Sequence, residues 1–398
     1  MDLRKGAIPL CALALSACGG GGGGGGDNAN PVNQMSVDAT ELRAFIGDVK
    51  TLRVDATDLF GNLIANPTLT WSTSAAGIAT AAPGTQPSTG VITALSAGGA
   101  VITVSSNSRS VDTPIQVYTK PESVADLAKV FPWSASGPGV STYSDIGSAE
   151  NDARFAHFSA LWTYLSGGTG LLPASGAPSS AEFYFTRDAN ILLQGRELCK
   201  AAPFQAPPTV GSVMSCSDGM WGGPATTERW FYVAPSNPLS QDQAQMQHEL
   251  AEAFFEHAVP DEKEFAWLYK GSTQYYEAGV LGPTSFSVDI ASLKRRLVAD
   301  PAANWVPIDA PSVLMQTPYA AAAGEKNIHD YGYGPAALIL FLQTEPPYAG
   351  KLRPVIDQIV AGTIQSNSAA IMELLSAAGR TPKQLDDEYA AWRTANTL

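Results

Sequence analysis

Residues 243–257 read Gln-Ala-Gln-Met-Gln-His-Glu-Leu-Ala-Glu-Ala-Phe-Phe-Glu-His. Met246, Leu250, Ala253, Phe254 and His257 recur at intervals of three and four, so the spacing predicts an amphipathic helix. On its other face His248 and Glu252 lie about 40° apart, with Glu249 and Glu256 close by. This is one residue away from His-Glu-x-x-His, in which two imidazoles one turn apart grip zinc and the intervening Glu handles the proton of the bound water. Here Glu252 takes the last position. A solvated polar face explains the same residues without a metal. His257 on the apolar side, and His157 between Phe155 and Phe158, read as core histidines. Other chemistries have less to stand on, since there is no Gly-x-Ser-x-Gly elbow and the only glycine run, Gly19–Gly26, follows no strand.

The 398 residues, 45% of them hydrophobic, are enough for two or three domains with a sizeable core. Lys and Arg total 24 against 37 Asp and Glu, and the net charge of −13 opposes binding to a phosphate backbone. Nucleic acid is therefore not an expected partner. Arg4 and Lys5 precede an apolar run from Ala7 to Ala17 that suits a secretion signal and is too short to span a membrane. After it, residues 19–34 as free coil would span about 20–25 Å, the length of a tether.

Leu15-Ser16-Ala17-Cys18 resembles the lipobox of bacterial lipoproteins. The resemblance implies cleavage before Cys18, lipidation of that cysteine and attachment to a membrane through this anchor alone. The absence of Asp after Cys18 points, within that family, to the outer membrane. With Cys11 removed and Cys18 lipidated, Cys199 and Cys216 remain, and an oxidising compartment would pair them. Closing their loop would contribute about 3 kcal/mol. A zinc site there would lack paired Cys-x-x-Cys spacing and a nearby His.

From Val32 to Val117 the pattern has period two in short bursts: Leu52, Val54 and Ala56; Leu69 and Trp71; Val91, Thr93 and Leu95; Val101, Thr103 and Ser105; Ile115 and Val117. Turn signals at Asp58–Asn62, Pro83-Gly84 and Gly98-Gly99 separate them, as in a β-sandwich. The stretches Leu69-Thr-Trp-Ser-Thr73, Thr89-Gly-Val-Ile-Thr-Ala94 and Ala97-Gly-Gly-Ala-Val-Ile-Thr-Val104 resemble the bacterial immunoglobulin-like group 2 domain. Members of that family serve as stalks and adhesive modules. Trp71, within an alternating strand, is expected in the core.

Beyond Pro121 helical periodicity takes over, with Ser134–Ser148 reading as a loop and strands at Ala181–Arg187 and Trp230–Val233. Phe265-Ala-Trp-Leu-Tyr-Lys-Gly-Ser-Thr-Gln-Tyr-Tyr-Glu277 is similar to the gluzincin segment Trp-Leu-x-Glu-Gly, whose Glu is the third zinc ligand. Tyr331-Gly-Tyr-Gly-Pro-Ala-Ala-Leu-Ile-Leu-Phe-Leu342 resembles the helix after the cleft in those peptidases. Carried over, His248 matches the first zinc ligand and Glu249 the general base, whereas Glu252 and Lys270 stand where the other ligands belong. An ammonium about 4 Å from a dication is repelled by roughly 8 kcal/mol at an effective dielectric of 20. Charged Lys270 and zinc should not share the site, and an ion pair Glu252–Lys270 is expected in the metal's place. If the site is active after all, His248, Glu252 and a further carboxylate such as Glu277 would hold the metal. Tyr331, Tyr333 and His329 are further cleft candidates, with a solvated loop the plainer account of His329.

The expected architecture is multidomain: an all-β immunoglobulin-like sandwich followed by an α+β, mainly helical zincin-like domain. The segments are a signal peptide 1–17, a lipidated cysteine and Gly-rich tether 18–31, the sandwich 32–118, a linker 119–150 and the gluzincin-like domain 151–398. The leading expectation is a cell-envelope lipoprotein whose inactive peptidase-like domain binds a peptide, protein or cell-wall partner, with no cofactor. An atypical zinc peptidase is one alternative. A structural or adhesive surface protein using the sandwich is the other.

Overall fold

A computed structural model describes residues 31–107, 109–167, 170–172, 177–200, 208, 212–217, 227–234, 243–259, 261, 264–281, 286–299, 308–316, 333–396 and 398. The expectations for the signal, Cys18, the tether, His329 and Tyr331 lie outside these residues. The chain divides into two units, Met1–Lys120 and Pro121–Leu398.

The first unit is a sandwich of two four-stranded sheets. Its strands are β1 (Gln34–Val37), β2 (Leu42–Phe45), β3 (Val49–Thr57), β4 (Thr70–Thr73), β5 (Ala79–Pro83), β6 (Thr89–Ala94), β7 (Gly98–Ser106) and β8 (Arg109–Tyr118). One sheet runs β1-β3-β6-β5 and the other β2-β8-β7-β4. Alternation carries Leu52, Val54 and Ala56 of β3 and Ile115 and Val117 of β8 inward, as the sequence predicts. In β6 and β7 the phase is the opposite of the expected one: Ile92 and Ala94, and Ala100, Ile102 and Val104, are buried, while Val91, Thr93, Val101, Thr103 and Ser105 lie on the other face. Both faces of these strands carry apolar residues, so only the facing sheet decides which set is covered. Trp71 packs half-buried against this core. A Cβ on Gly90 would lie 2.5 Å from the Trp71 ring, which is why the β6 motif needs a glycine there.

The strand register gives the sandwich a direction. Asn33 donates to the Thr57 carbonyl and Gln34 pairs with Thr57, so the chain comes in beside the end of β3. It leaves at Tyr118, which pairs with Phe45 and whose carbonyl accepts from Ile46, beside the start of β3. The two ends of the nine-residue β3 are about 30 Å apart.

The second unit contains α1 (Val124–Ala128), β9 (Trp133–Gly137), β10 (Val140–Ser144), α2 (Ser148–Ser166), β11 (Ser180–Thr186), α3 (Ala189–Cys199), β12 (Val213–Ser217), β13 (Thr227–Val233), α4 (Gln243–Ala258) and α5 (Ala266–Ala278). There follow β14 (Val280–Leu281), β15 (Phe286–Ser287), α6 (Ile290–Ala299), α7 (Pro311–Leu314), α8 (Gly334–Thr344), α9 (Leu352–Val360), α10 (Asn367–Ala378) and α11 (Pro382–Ala395). It is an α+β domain built on a mixed sheet, β12-β13-β11-β10-β9, in which β13, β11 and β10 are parallel and both edge strands antiparallel.

Segment 119–150 is not a linker, and Ser134–Ser148 is not simply a loop. It supplies the β9–β10 hairpin, and β10 pairs with β11. Its small residues follow from packing: α2 lies directly on these strands, so that a Cβ on Gly137 would meet the Phe155 ring at 2.9 Å and one on Gly139 the Trp162 indole at 2.2 Å. Phe158 of α2 stacks on Phe183 of β11, which stacks on Trp230 of β13. The disulfide Cys199–Cys216 joins the end of α3 to β12, as expected. Thr381 opens α11 with a capping box and Pro382 takes the first turn. Among the described residues no helix is long and apolar enough to cross a membrane.

Candidate functional site

Helix α4 packs against α5, and α5 against α8. The last approach is close: a Cβ on Gly271 would stand 2.8 Å from Ile339 and 3.0 Å from the Pro335 carbonyl oxygen. On α4 the predicted stripe Met246, Leu250, Ala253 and Phe254 is buried. His257 joins it as a satisfied core histidine, its Nε2 2.9 Å from Oε1 of the buried Glu228. His157 is also internally satisfied, with Nε2 2.9 Å from Oε1 of Gln247, and burial pushes its imidazole down to about 4.

The polar face of α4 meets α5 at its far end. His248 Nδ1 lies 2.9 Å from Oε2 of Glu277, the buried carboxylate near the end of α5. The other oxygen, Oε1, accepts from Arg296 Nε of α6 at 2.8 Å and from the Tyr333 hydroxyl at 2.6 Å. The Arg296 guanidinium also lies 5.8 Å from the centre of the Tyr333 ring. One carboxylate therefore ties α4, α5, α6 and the start of α8 together.

Glu249 accepts from Gln245 Nε2 at 2.7 Å. Glu252 accepts from the Tyr269 hydroxyl. The expected pair Glu252–Lys270 does not form: no ion pair between them is present among the described residues, and Glu252 is taken by Tyr269 instead. Successive residues of a helix point about 100° apart, so α5 can turn only one of Tyr269 and Lys270 toward α4. Lys270 is half-buried, and its carbonyl accepts from Thr273. Glu256 on the following turn is half-buried as well.

The charges couple strongly. Burial by itself would lower the His248 imidazole, but the hydrogen bond and charge of Glu277, then the charges of Glu252 and Glu249, carry it above its ordinary value. Burial works the other way on Glu277, yet His248, Arg296 and Tyr333 outweigh it and hold the carboxyl at about 2. Glu249 is pushed up by burial, with His248 opposing. Both shifts favour the charged forms, an imidazolium facing a carboxylate that a guanidinium backs. A protonated imidazole neither binds a metal nor accepts a proton, but it can donate a hydrogen bond to an anionic group.

His248, Glu277 and Tyr333 are thus brought together, Glu252 and Glu249 flank them, and Lys270 stays apart. Among the described residues, no three His, Cys, Asp or Glu side chains form a group placed to hold a metal ion. Two members went unread in the sequence. Arg296 is the last of three consecutive basic residues, Lys294-Arg295-Arg296, and no local pattern singles it out from the other two. Gln247 carried a signal, a polar residue beside Met246 and one turn from Leu250 on the buried side. Its Nε2 donates to the carbonyls of Tyr276 and Gly279 at 2.7 and 3.2 Å, closing the end of α5 while its Oε1 meets His157.

The fold and the site define a two-unit protein, a β-sandwich followed by an α+β domain carrying a buried His–carboxylate–Arg–Tyr cluster. No protein-family model and no curated protein matches the chain. Among solved structures, it is similar to domains 5–6 of the S-layer protein SbsC at 21% identity, over 23% of this chain and 45% of that one, with a TM-score of 0.21. The Escherichia coli adhesin FdeC matches at 19% identity over 22% of this chain and 30% of that one, with a TM-score of 0.18. The Yersinia pseudotuberculosis adhesin InvE matches at 18% identity over 24% and 30%, with a TM-score of 0.19. The chain spans about half or less of the length of these structures.

Proposed function

We infer that the protein is a structural or adhesive component of a bacterial cell envelope, anchored by lipid at Cys18, in which the sandwich is a stalk and the second unit a non-catalytic binding domain. The observation that carries this reading is the direction of the sandwich: the chain comes in beside Thr57 and goes out beside Phe45, at opposite ends of β3. A module threaded end to end sets its own length between whatever precedes and whatever follows it. In the second unit, a zincin-like ancestry is supported by the pair α4 and α5 beside a mixed sheet, with His248-Glu249 on the first helix. Loss of catalysis is supported by Glu277, both of whose oxygens are engaged by protein groups, and by Lys270 at a ligand position of the resembled family. The partner would be a peptide, a protein or a cell-wall fragment. An acidic group on it would suit the His248 imidazolium.

The zinc peptidase reading is favoured instead by the sequence order His248-Glu249, with burial raising the Glu249 carboxyl toward the range of a general base. Zinc content of the purified full chain separates the two. The stalk reading expects metal-free protein. Stoichiometric zinc in the parent that disappears in His248→Ala would replace it with the peptidase reading, and Glu249→Gln would then abolish peptide hydrolysis.

A further inference from the structure

The loop that follows β3 reads Asp58-Leu-Phe-Gly-Asn-Leu-Ile64, and it holds its apolar side chains outward. Leu59 is 74% exposed, Phe60 83% and Leu63 69%. Scattered exposed apolar residues need no explanation, but three within five residues on one loop form a patch. The loop is also built to keep that shape. Asp58 is itself buried, and its Oδ1 accepts from the backbone of Phe60 at 2.8 Å and of Asn62 at 2.9 Å, while its Oδ2 accepts from the Asn62 side chain. Gly61 takes a positive φ of 81°, and Asp58 N donates back to the Asn62 carbonyl. From Asp58 to Ile64 there is no Lys, Arg or Glu, and the one Asp faces inward.

The position of the loop selects its occupant. It springs from Thr57, whose carbonyl binds Asn33, so the apolar tip and the incoming chain share one end of the sandwich. Only residues 19–30 separate Cys18 from Pro31, a reach of at most about 45 Å. We propose that Leu59, Phe60 and Leu63 form a lipid-inserting tip, a second membrane contact that seats the base of the sandwich on the bilayer to which Cys18 is anchored. This rests on the lipid-anchor part of the reading above. The tether supplies a high effective concentration, so a tip of three side chains is enough to hold the sandwich at the surface.

The test uses residues 18–398 with Cys18→Ser, without the signal segment and without lipid, so that the tip is measured independently of the anchor. Flotation with phosphatidylethanolamine–phosphatidylglycerol vesicles is compared for this parent, for Phe60→Ser, for Leu59→Ser/Phe60→Ser/Leu63→Ser, and for Val49→Ser at the opposite end of β3. The parent partitions at millimolar lipid, Phe60→Ser lowers the partition coefficient about tenfold or more, the triple variant removes it, and Val49→Ser leaves it unchanged. Equal partitioning of parent and triple variant, or none by the parent, overturns the proposal. A parent that is dimeric by sedimentation without vesicles, and monomeric as the triple variant, makes the occupant a second copy and overturns it too. The mass of the N-terminal peptide of the native protein tests the anchor separately: an unmodified Cys18 removes the anchor reading whatever the vesicles report.

Discussion

Glu277→Gln is the perturbation whose size the structure fixes best. The substitution keeps the shape of the side chain and an oxygen for the Tyr333 hydroxyl, and removes the charge that His248 and Arg296 share. A carboxyl held at about 2 against an ordinary 4.5 is worth about 3 kcal/mol at roughly 1.4 kcal/mol per pH unit. Because the group is depressed in the folded state, this stability is fully present above pH 4.5 and is lost as pH falls through about 2. His248 is raised, so its side of the same interaction is fully present below pH 6.5 and is lost as pH rises through its folded value. The two describe one pair and are not added. They agree on a window between pH 4.5 and 6.5 in which the variant should be weakest relative to the parent. Every described helix lies beyond Pro121, so urea unfolding followed at 222 nm reports on the second unit. At pH 5.5 the expected deficit is about 3 kcal/mol, a midpoint lowered by about 1 M urea, shrinking to about 1 kcal/mol near pH 2.5. Equal stabilities at pH 5.5, or a deficit that does not change on acidification, would refute the argument that Glu277 acts as a charged hub.

Three other outcomes follow from the packing and the buried groups. His157 is held neutral in the fold, at about 4 against 6.5, so the unfolded chain gains a proton first on acidification and the parent should lose about 2–3 kcal/mol between pH 6.5 and 4; His157→Gln should flatten that part of the urea-midpoint profile. Gly271→Ala puts a methyl group against Ile339 and the Pro335 carbonyl and should cost about 1–3 kcal/mol by the same unfolding measurement, with α8 displaced rather than α5 shortened. Replacing both Cys199 and Cys216 by Ser opens a loop of separation 17 and should lower stability by about 3 kcal/mol, with no further loss when reductant is added.

Much of the chain could be read directly because local physics dictates it. Period two in residues 32–117 and period 3.6 in residues 243–257 named the sandwich and α4, and the cysteine count named the one disulfide seen. Signals of that kind depend on a few neighbouring residues. Burial in β6 and β7 does not, since both faces of each strand carry apolar side chains and the opposing sheet chooses between them. Nor does the β9–β10 hairpin, whose serines and glycines look like a loop until α2 lies on them and leaves room only for small side chains. His248, Glu249 and Glu252 were visible as chemistry because the helix spaces them, whereas their partners come from far along the chain: Tyr269 rather than Lys270, and Glu277 backed by Arg296 and Tyr333. Spacing along one helix fixes which side chains share a face. Which charge answers them across an interface is decided by the packing of α4 on α5 and of α5 on α8, where desolvation makes each buried group take the nearest partner that satisfies it.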